Sequence, residues 1–515
     1  MLTINDLPDD VLVEIFDFCV VGYQDLGMPR EFSEYDSYVT GEVDLEEREV
    51  NDYYTKRKIE SWRLLVHVCR RWRGLVFGSR RRLNLQLYRI TGKSARKSLD
   101  VWPALPLIIE GGVFETSVDD VIAELGHSDR ICKMDLNCQP DSPDELWPAM
   151  QTTSQTEKLW TAMEVPFPEL AVLRLLFGSG PYAPVLPDSF LGGSAPRLRY
   201  LALVAIPFPG LPKLLLSTTH LVHLRLQEIP HSGYISPEVM ANCLSMLTNL
   251  EELYFQFDSP RSSPDQESRR SPPPTRSFLP ALTKFRFQGV KEYLELLVAR
   301  IDTPRLCKLM ATFLNEIDFA TPELNQFISR MPTLEAYKGA RLHIGTRVAR
   351  VGLQSHAGMI EVKILCKDLL DRQLSSLTQI CTSLRLIPTI ENLYIDAHSF
   401  DRFIDSLVRT DVNDIETANW LDLLLPFTAV KNLYVHSAFW PRIASALQGL
   451  TGGRATEVLP ALQNAFLETY RPSKDGIAQF VSARQLVNHP ITVSVWDKRL
   501  SVYDSYWLSG SEDDD

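Results

Sequence analysis

Two segments near the start of the chain carry apolar residues at the spacing of an α-helix. The first covers residues 4–20, where Pro8 suits the first helical position and apolar side chains recur every three or four residues. The second covers residues 60–77, whose apolar stripe runs from Trp62 to Val76. We therefore predict two amphipathic helices, each with one broad apolar face.

Between these helices and beyond them the pattern changes. Residues 22–58 hold ten acidic and five basic side chains with little periodicity, and we predict a solvated acidic insertion there. Residues 81–160 combine alternating, strand-like runs such as 83–90 with a helical run at 118–126, which predicts an α/β linking region that caps the C-terminal part of the chain. Residues 1–80 then form one helical module.

From residue 161 to residue 515 a leucine phrase recurs: an apolar residue, two others, a second apolar residue, one other and a third apolar residue. Its first positions, from Leu170 to Leu334, follow one another at intervals of 23 to 32 residues, near the period of leucine-rich repeats. Because one such unit cannot bury its apolar face alone, we predict that neighbouring units stack into an irregular solenoid. Residues 258–277, rich in Ser, Pro and Arg, interrupt the series as a predicted disordered loop.

The composition is that of a globular protein, with 45% hydrophobic and 23% charged residues in a chain of 515. A formal charge of −12 argues against general binding of nucleic acid, which needs basic side chains against the phosphates. No apolar stretch reaches the about 20 residues that cross a bilayer, and the N-terminus lacks the pattern of a signal peptide. The eight cysteines show no CxxC spacing, so we expect reduced thiols and a cytoplasmic or nuclear location.

The two N-terminal helices also carry a specific order of residues. Leu7 and Pro8 begin the first helix, and Ile15 and Phe16 follow near its end. The second helix holds the run Val-Cys-Arg-Arg-Trp at 68–72. This order resembles the F-box, and residues 81–111 resemble a large fungal group of F-box proteins with degenerate leucine-rich repeats. The fold class that this resemblance implies is an α/β repeat protein, in which an N-terminal all-α F-box precedes an irregular leucine-rich-repeat solenoid.

The resemblance implies a role in protein degradation. F-box proteins are substrate receptors of SCF-type ubiquitin ligases: they bind a Skp-type adaptor, and through it a cullin, while a repeat domain selects a substrate protein. Such a receptor holds its target near a separate enzyme, so it needs no catalytic residue, cofactor or metal of its own. The adaptor-binding residues that the resemblance implies are Leu7, Pro8, Val11, Leu12, Ile15, Phe16, Val68, Cys69 and Trp72.

Other patterns suggest other functions. Residues 63–97 contain eleven basic side chains and no acidic one, but aromatic residues are sparse and no nucleic-acid motif is present, which favours a solvated face or one that meets the acidic insertion. His220 and His223 have a metal-ligand spacing without a third ligand nearby in sequence. The sequence has no P-loop, dinucleotide-binding or hydrolase signature, so we expect a binding protein rather than an enzyme. The alternative to a ligase receptor is a non-ligase interaction scaffold whose F-box is vestigial.

Overall fold

The computed structural model describes residues 4–21, 62–80, 82–90, 102–113, 118–138, 149–177, 185–257, 276–314, 321–331, 337–345, 348–355, 358–365, 370–397, 414–450, 452–468 and 478–496. The predicted acidic insertion lies outside these residues, as does the predicted loop except for its last two positions. The chain divides into two compact units, Met1–Tyr200 with Arg499–Asp515 and Leu201–Lys498. The domain boundaries predicted after residues 80 and 160 stay predictions.

The first unit contains helices and a parallel sheet. Its described helices are α1 (Asp9–Val21), α2 (Trp62–Val66), α3 (Arg70–Gly78), α4 (Val118–Leu125) and α5 (Ala149–Ala162). Its described strands are β1 (Leu87–Ile90), β2 (Leu107–Gly112), β3 (Ile131–Cys138) and β4 (Val172–Phe177). Neighbouring strands pair in parallel in the order β1-β2-β3-β4.

Alternation along β3 explains how the sequence builds this sheet. Met134 and Leu136 are buried on one side of the strand, whereas Lys133 and Asp135 lie on the other. The Lys133 ammonium pairs with the Glu110 carboxylate of β2 at 2.5 Å. Parallel neighbours need a crossover connection, and α4 lies in the connection between β2 and β3.

The second unit continues with helices between most of its strands. Its described helices are α6 (Leu211–Leu215), α7 (Pro237–Leu244), α8 (Lys291–Val298), α9 (Pro322–Ser329), α10 (Leu370–Ser383), α11 (Asp414–Leu424), α12 (Trp440–Gln448) and α13 (Ala478–Leu486). Its described strands are β5 (Tyr200–Val204), β6 (His223–Ile229), β7 (Glu252–Phe257), β8 (Ser277–Phe278), β9 (Lys284–Gly289), β10 (Ile301–Asp302), β11 (Lys308–Leu314), β12 (Gly339–Ile344), β13 (Val348–Gln354), β14 (Met359–Leu365), β15 (Asn392–Asp396), β16 (Asn432–Val435), β17 (Asn464–Glu468) and β18 (Thr492–Trp496).

The main sheet of this unit is mixed. Its strand order is β5-β6-β7-β9-β11-β14-β13-β12-β15-β16-β17-β18, and β8 pairs separately with β10. Strand β13 is antiparallel to both β12 and β14, whereas β11 pairs in parallel with β14 and β12 pairs in parallel with β15. The segment β12-β13-β14 is therefore a meander whose strands follow one another directly in sequence.

The predicted fold class is wrong. Instead of an all-α N-terminal F-box followed by a leucine-rich-repeat solenoid, the chain forms a large mixed sheet, and most of its helices lie beyond the N-terminal segment. The leucine phrases misled the prediction because they mark only which positions point inward. Residues 359–365, which lie inside the predicted solenoid, instead form β14, which pairs with an antiparallel neighbour. Side-chain alternation has the same period in either strand direction.

Side-chain rows fix the register of the strands after the meander. The rings of Tyr394 and Tyr434 stack at a centroid distance of 4.4 Å, and Tyr434 stacks on Phe466 at 4.6 Å. These distances match the spacing of neighbouring strands, which is about 4.8 Å. Beside the rings, the Asn432 side-chain amide donates to Asn392 Oδ1 at 2.8 Å. A one-residue slip would separate both rows, so they hold β15, β16 and β17 in register.

Candidate functional site

Helices α1 and α3 meet at their N-terminal ends, although 62 positions separate Asp9 from Arg71. Arg71 joins them: its Nε donates to Asp9 Oδ1 at 2.9 Å, and its Nη2 donates to the Leu7 backbone carbonyl at 2.6 Å. Both charged side chains are more than one third exposed, so the ion pair adds little stability of its own. Its geometric effect is to place the Leu-Pro start of α1 beside the Arg-Arg start of α3.

An apolar interior lies between these helices. Phe16 is fully buried, and its ring lies 4.7 Å from that of Trp72. Leu12, one turn earlier in α1, is also fully buried. Helix α2 contributes Trp62, whose indole N–H donates to the Gln86 carbonyl at 3.0 Å. The side chains that hold the helices together therefore sit at i and i+4 on one side of α1.

Cys69 shapes the turn between α2 and α3. Its backbone is extended, with φ −158° and ψ 171°, and its Sγ accepts the backbone N–H of Trp72 at 3.4 Å as the cap of α3. Arg73 braces the same turn, because its Nε donates to the Val66 carbonyl at 3.0 Å. The turn leaves Val68 at the surface with 58% of its area exposed.

A second set of apolar side chains in this cluster faces solvent. On α1, Val11 and Phe18 are exposed and lie two helical turns apart on one side, with half-buried Ile15 between them. On α2 and the turn after it, Leu64 and Val68 are exposed at a separation of four residues. We call these five residues the outer stripe. A helix that is apolar on both sides has more apolar surface than its own packing uses.

The nine residues implied as adaptor contacts fall into three groups. Leu12, Phe16 and Trp72 are buried inside the cluster and are not available at its surface. Leu7, Ile15 and Cys69 are half-buried. Pro8, Val11 and Val68 are exposed.

Two residues of the outer stripe were missed by sequence reasoning. Phe18 is 82% exposed and Leu64 is 76% exposed, the most exposed apolar side chains in the described part of this cluster. The signal was present, because Phe18 follows Val11 by seven residues and Val68 follows Leu64 by four. Reading each helix as having a single apolar face concealed a second stripe beside the first.

Two of the basic side chains after residue 62 meet acidic partners on α1. Arg71 pairs with Asp9, and Arg82 forms a hydrogen-bonded ion pair with Glu14. That hydrogen bond raises the pKa of Arg82. These contacts place two of the basic residues of the 63–97 cluster against carboxylates, and its positions 91–97 lie outside the described residues.

A charged cluster lies on the sheet of the second unit. Glu252 of β7 sits between His223 of β6, at 3.3 Å from its Nδ1, and Lys284 of β9, at 2.7 Å. The hydrogen bond from His223, assisted by Lys284, lowers the pKa of Glu252 to about 2 from its ordinary 4.5. His223, whose spacing from His220 did not suffice to predict a metal site, is thus paired with a carboxylate.

Replacing Glu252 with Gln is expected to lower the free energy of unfolding by about 1–2 kcal/mol at pH 5, after discounting for partial exposure. Because the folded pKa lies below the unfolded one, the carboxylate stabilises the fold above about pH 4.5 and loses this effect as the pH falls toward 2. The difference between wild type and Glu252→Gln should therefore roughly halve by pH 3 in urea titrations. The neighbouring exposed Glu251→Gln is the control, and an equal pH dependence in both variants would contradict the assignment.

Metal-binding clusters and membrane-spanning helices are two further features that would point to a function. Within the described ranges, no group of three His, Cys, Asp or Glu side chains is placed to hold a metal ion. No helix among those residues has both the length and the apolar character that a membrane span requires.

The outer stripe is thus the candidate site that the predicted residues lead to. Its five apolar side chains, four exposed and one half-buried, are of the kind that protein-docking surfaces use. In comparisons with known proteins, no protein-family model matches this chain, and no curated protein sequence matches it significantly.

Proposed function

We propose that this chain is a substrate receptor of an SCF-type ubiquitin ligase. The outer stripe docks a Skp-type adaptor, and the second unit holds a target protein. One observation carries the proposal: α1 is apolar on two sides. Leu12 and Phe16 use one side to assemble the cluster, while Val11 and Phe18 leave the other side exposed. The residues that carry the F-box resemblance therefore support both an internal core and an external docking surface.

The size of the outer stripe suits a docking contact. Burying one exposed Val, Leu or Phe side chain contributes about 1.5–3 kcal/mol. Association costs on the order of 4–15 kcal/mol in lost motion, so several such side chains must be covered together. Val11, Phe18, Leu64 and Val68 form a group of that size. The exposed Arg71–Asp9 pair of the same helix cluster would add a polar contact that fixes orientation rather than affinity.

In this proposal the chain contributes proximity. It holds a target beside an enzyme that carries ubiquitin, and the reaction accelerates because two reactants are kept at a high local concentration. Rigid packing of Phe16 on Trp72 matters for this role, since a loose docking module would let the target move away from the enzyme.

The paired substitution Val11→Asp and Val68→Asp is expected to weaken binding of a purified Skp-type adaptor at least about 100-fold, because two charges would have to be desolvated in the contact. Thermal unfolding should change little, since both side chains are exposed. Isothermal titration calorimetry with the full chain measures the affinity directly.

The matched control is Val165→Asp with Val185→Asp. These two valines of the first unit are 42% and 51% exposed and lie outside the outer stripe. The control should bind the adaptor like wild type. The proposal fails if wild type does not bind the adaptor, or if the Val11 and Val68 variant binds it equally well. Adaptor binding without ubiquitin transfer to any captured protein would instead favour a scaffold.

A further inference from the structure

Strand β18 forms one end of the main sheet of the second unit. Among the strands that the structure describes, it pairs with β17 alone, in parallel, from Thr492 to Trp496. Its five residues include no charged side chain and no proline. Proteins often place such residues on sheet edges, because an open edge presents unpaired N–H and C=O groups to any other strand. Strand β18 lacks that protection.

The backbone groups on the open side of β18 belong to Val493 and Val495. Thr492 donates its backbone N–H to the Gln463 carbonyl at 2.8 Å, on the side of β17. Successive residues of a strand direct their backbone groups to opposite sides, so those of Ser494 also face β17. The N–H and C=O groups of the two valines therefore face away from β17, in the plane of the sheet.

The same two valines leave apolar surface exposed. Their register partners on β17, Ala465 and Leu467, are buried, so the valines continue the apolar face of the sheet. Val493 is nevertheless 38% exposed and Val495 is 60% exposed. A strand added beside β18 would bury these side chains and pair their backbone groups in one step.

We propose that β18 binds the β18 strand of a second copy of this chain, which gives a symmetric dimer whose sheet runs through both copies. A two-fold axis at Ser494 makes the two strands antiparallel and places Val493 of each copy opposite Val495 of the other. Each such pair exchanges two backbone hydrogen bonds, so the contact forms about four of them. Directly opposed side chains lie on the same face, so the valines of both copies meet there.

A second copy suits this edge better than a disordered peptide does. Its strand is already formed, whereas a disordered peptide loses chain entropy when it becomes extended. The two strands also bring no charge into the contact. Each chain carries a formal charge of −12, so the copies repel each other at a distance, and salt screens that repulsion. Dimerisation should therefore strengthen as salt rises.

The test is sedimentation equilibrium of the full chain alone, at concentrations up to about 200 µM. Wild type is expected to dimerise with a dissociation constant on the order of 10–100 µM, because the contact is small. Raising the salt concentration from about 50 to about 500 mM should lower this constant. The proposal is overturned if wild type stays monomeric at both salt concentrations, or if it forms assemblies larger than a dimer.

Two variants of the same valines test the register. Val493→Lys with Val495→Lys places like charges opposite each other across the two-fold axis and should weaken dimerisation at least about tenfold. Val493→Lys with Val495→Glu places opposite charges there and should dimerise at least about tenfold more tightly than the doubly basic variant. Circular dichroism checks that both variants fold, and the wild-type measurement needs neither of them.

Val239→Lys with Met246→Lys is the matched control for net charge. Both side chains are more than one third exposed and belong to α7 and the turn after it, not to β18. This control should dimerise like wild type. Equal weakening by the control and the doubly basic β18 variant would contradict the proposal, as would a variant with Val493→Lys and Val495→Glu that dimerises no better than the doubly basic one. The inference does not rest on the proposed function, and the measurement uses no adaptor.

Discussion

Replacing Glu416 with Gln is expected to lower the free energy of unfolding by about 3–5 kcal/mol. Glu416 of α11 and Arg442 of α12 form a hydrogen-bonded ion pair whose side chains are only 6% and 4% exposed. Glutamine keeps the shape of glutamate and can still accept the indole N–H of Trp420, which lies 3.4 Å from Glu416 Oε1. The substitution therefore removes the buried carboxylate that pairs with the Arg442 guanidinium. Urea unfolding followed by circular dichroism measures the loss.

Two further variants test how much of this loss in the free energy of unfolding comes from breaking a buried ion pair rather than from removing its net contribution to stability. Glu457→Gln breaks the exposed pair with Arg454, whose Nε lies 3.1 Å from Glu457 Oε2, and should cost less than about 1 kcal/mol. The double variant Glu416→Leu with Arg442→Met removes both buried charges and should recover most of the lost stability. If Glu416→Gln lowers the free energy of unfolding by no more than Glu457→Gln does, burial does not increase the destabilisation caused by breaking an ion pair in this protein.

Phe16→Ala is expected to destabilise the fold, whereas Phe18→Ala is expected to weaken adaptor binding with little change in stability. Phe16 is fully buried against Trp72, so its removal leaves a cavity in the helix cluster and should cost about 3–5 kcal/mol. Phe18 is 82% exposed, so its removal should change stability by less than about 0.5 kcal/mol. Under the proposed function, Phe18→Ala should weaken adaptor binding about tenfold or more, as truncation of an aromatic anchor does.

Together, these two variants distinguish a side chain that contacts the adaptor from one that only stabilises the helix cluster. Protease protection of the first 80 residues and adaptor affinity are measured for both variants. Loss of protection in Phe16→Ala with retained protection in Phe18→Ala is the expected result. If Phe18→Ala loses protection to the same extent, the outer stripe packs within the chain and is not available to an adaptor.

Local patterns in the sequence predicted the elements better than their assembly. The helical run predicted at 118–126 is confirmed as α4, and the strand-like run at 83–90 contains β1. Periodicity reports which side of an element is apolar, and local sequence carries that information. Strand direction depends on how the chain returns to the sheet, so the leucine phrases did not indicate that β13 pairs antiparallel with its neighbours.

The candidate site was predictable to a similar extent. The residue order of the two N-terminal segments pointed to this part of the chain, and the structure brings Phe16 of one segment onto Trp72 of the other. The sequence did not separate inward from outward positions, because adjacent residues such as Val11 and Leu12 are both aliphatic. Which of them is exposed depends on the rotation of α1 about its axis, and tertiary packing sets that rotation.

The meander β12-β13-β14 has a consequence for the order of folding. Strand β12 ends at Ile344, and β13 begins four positions later at Val348. Strand β13 ends at Gln354, and β14 begins five positions later at Met359. Closing such short loops costs little chain entropy, whereas each parallel neighbour must wait for a long crossover to return. We expect this hairpin pair to form early and to act as a nucleus, with β11 and β15 joining its two edges and the sheet growing outward in both directions.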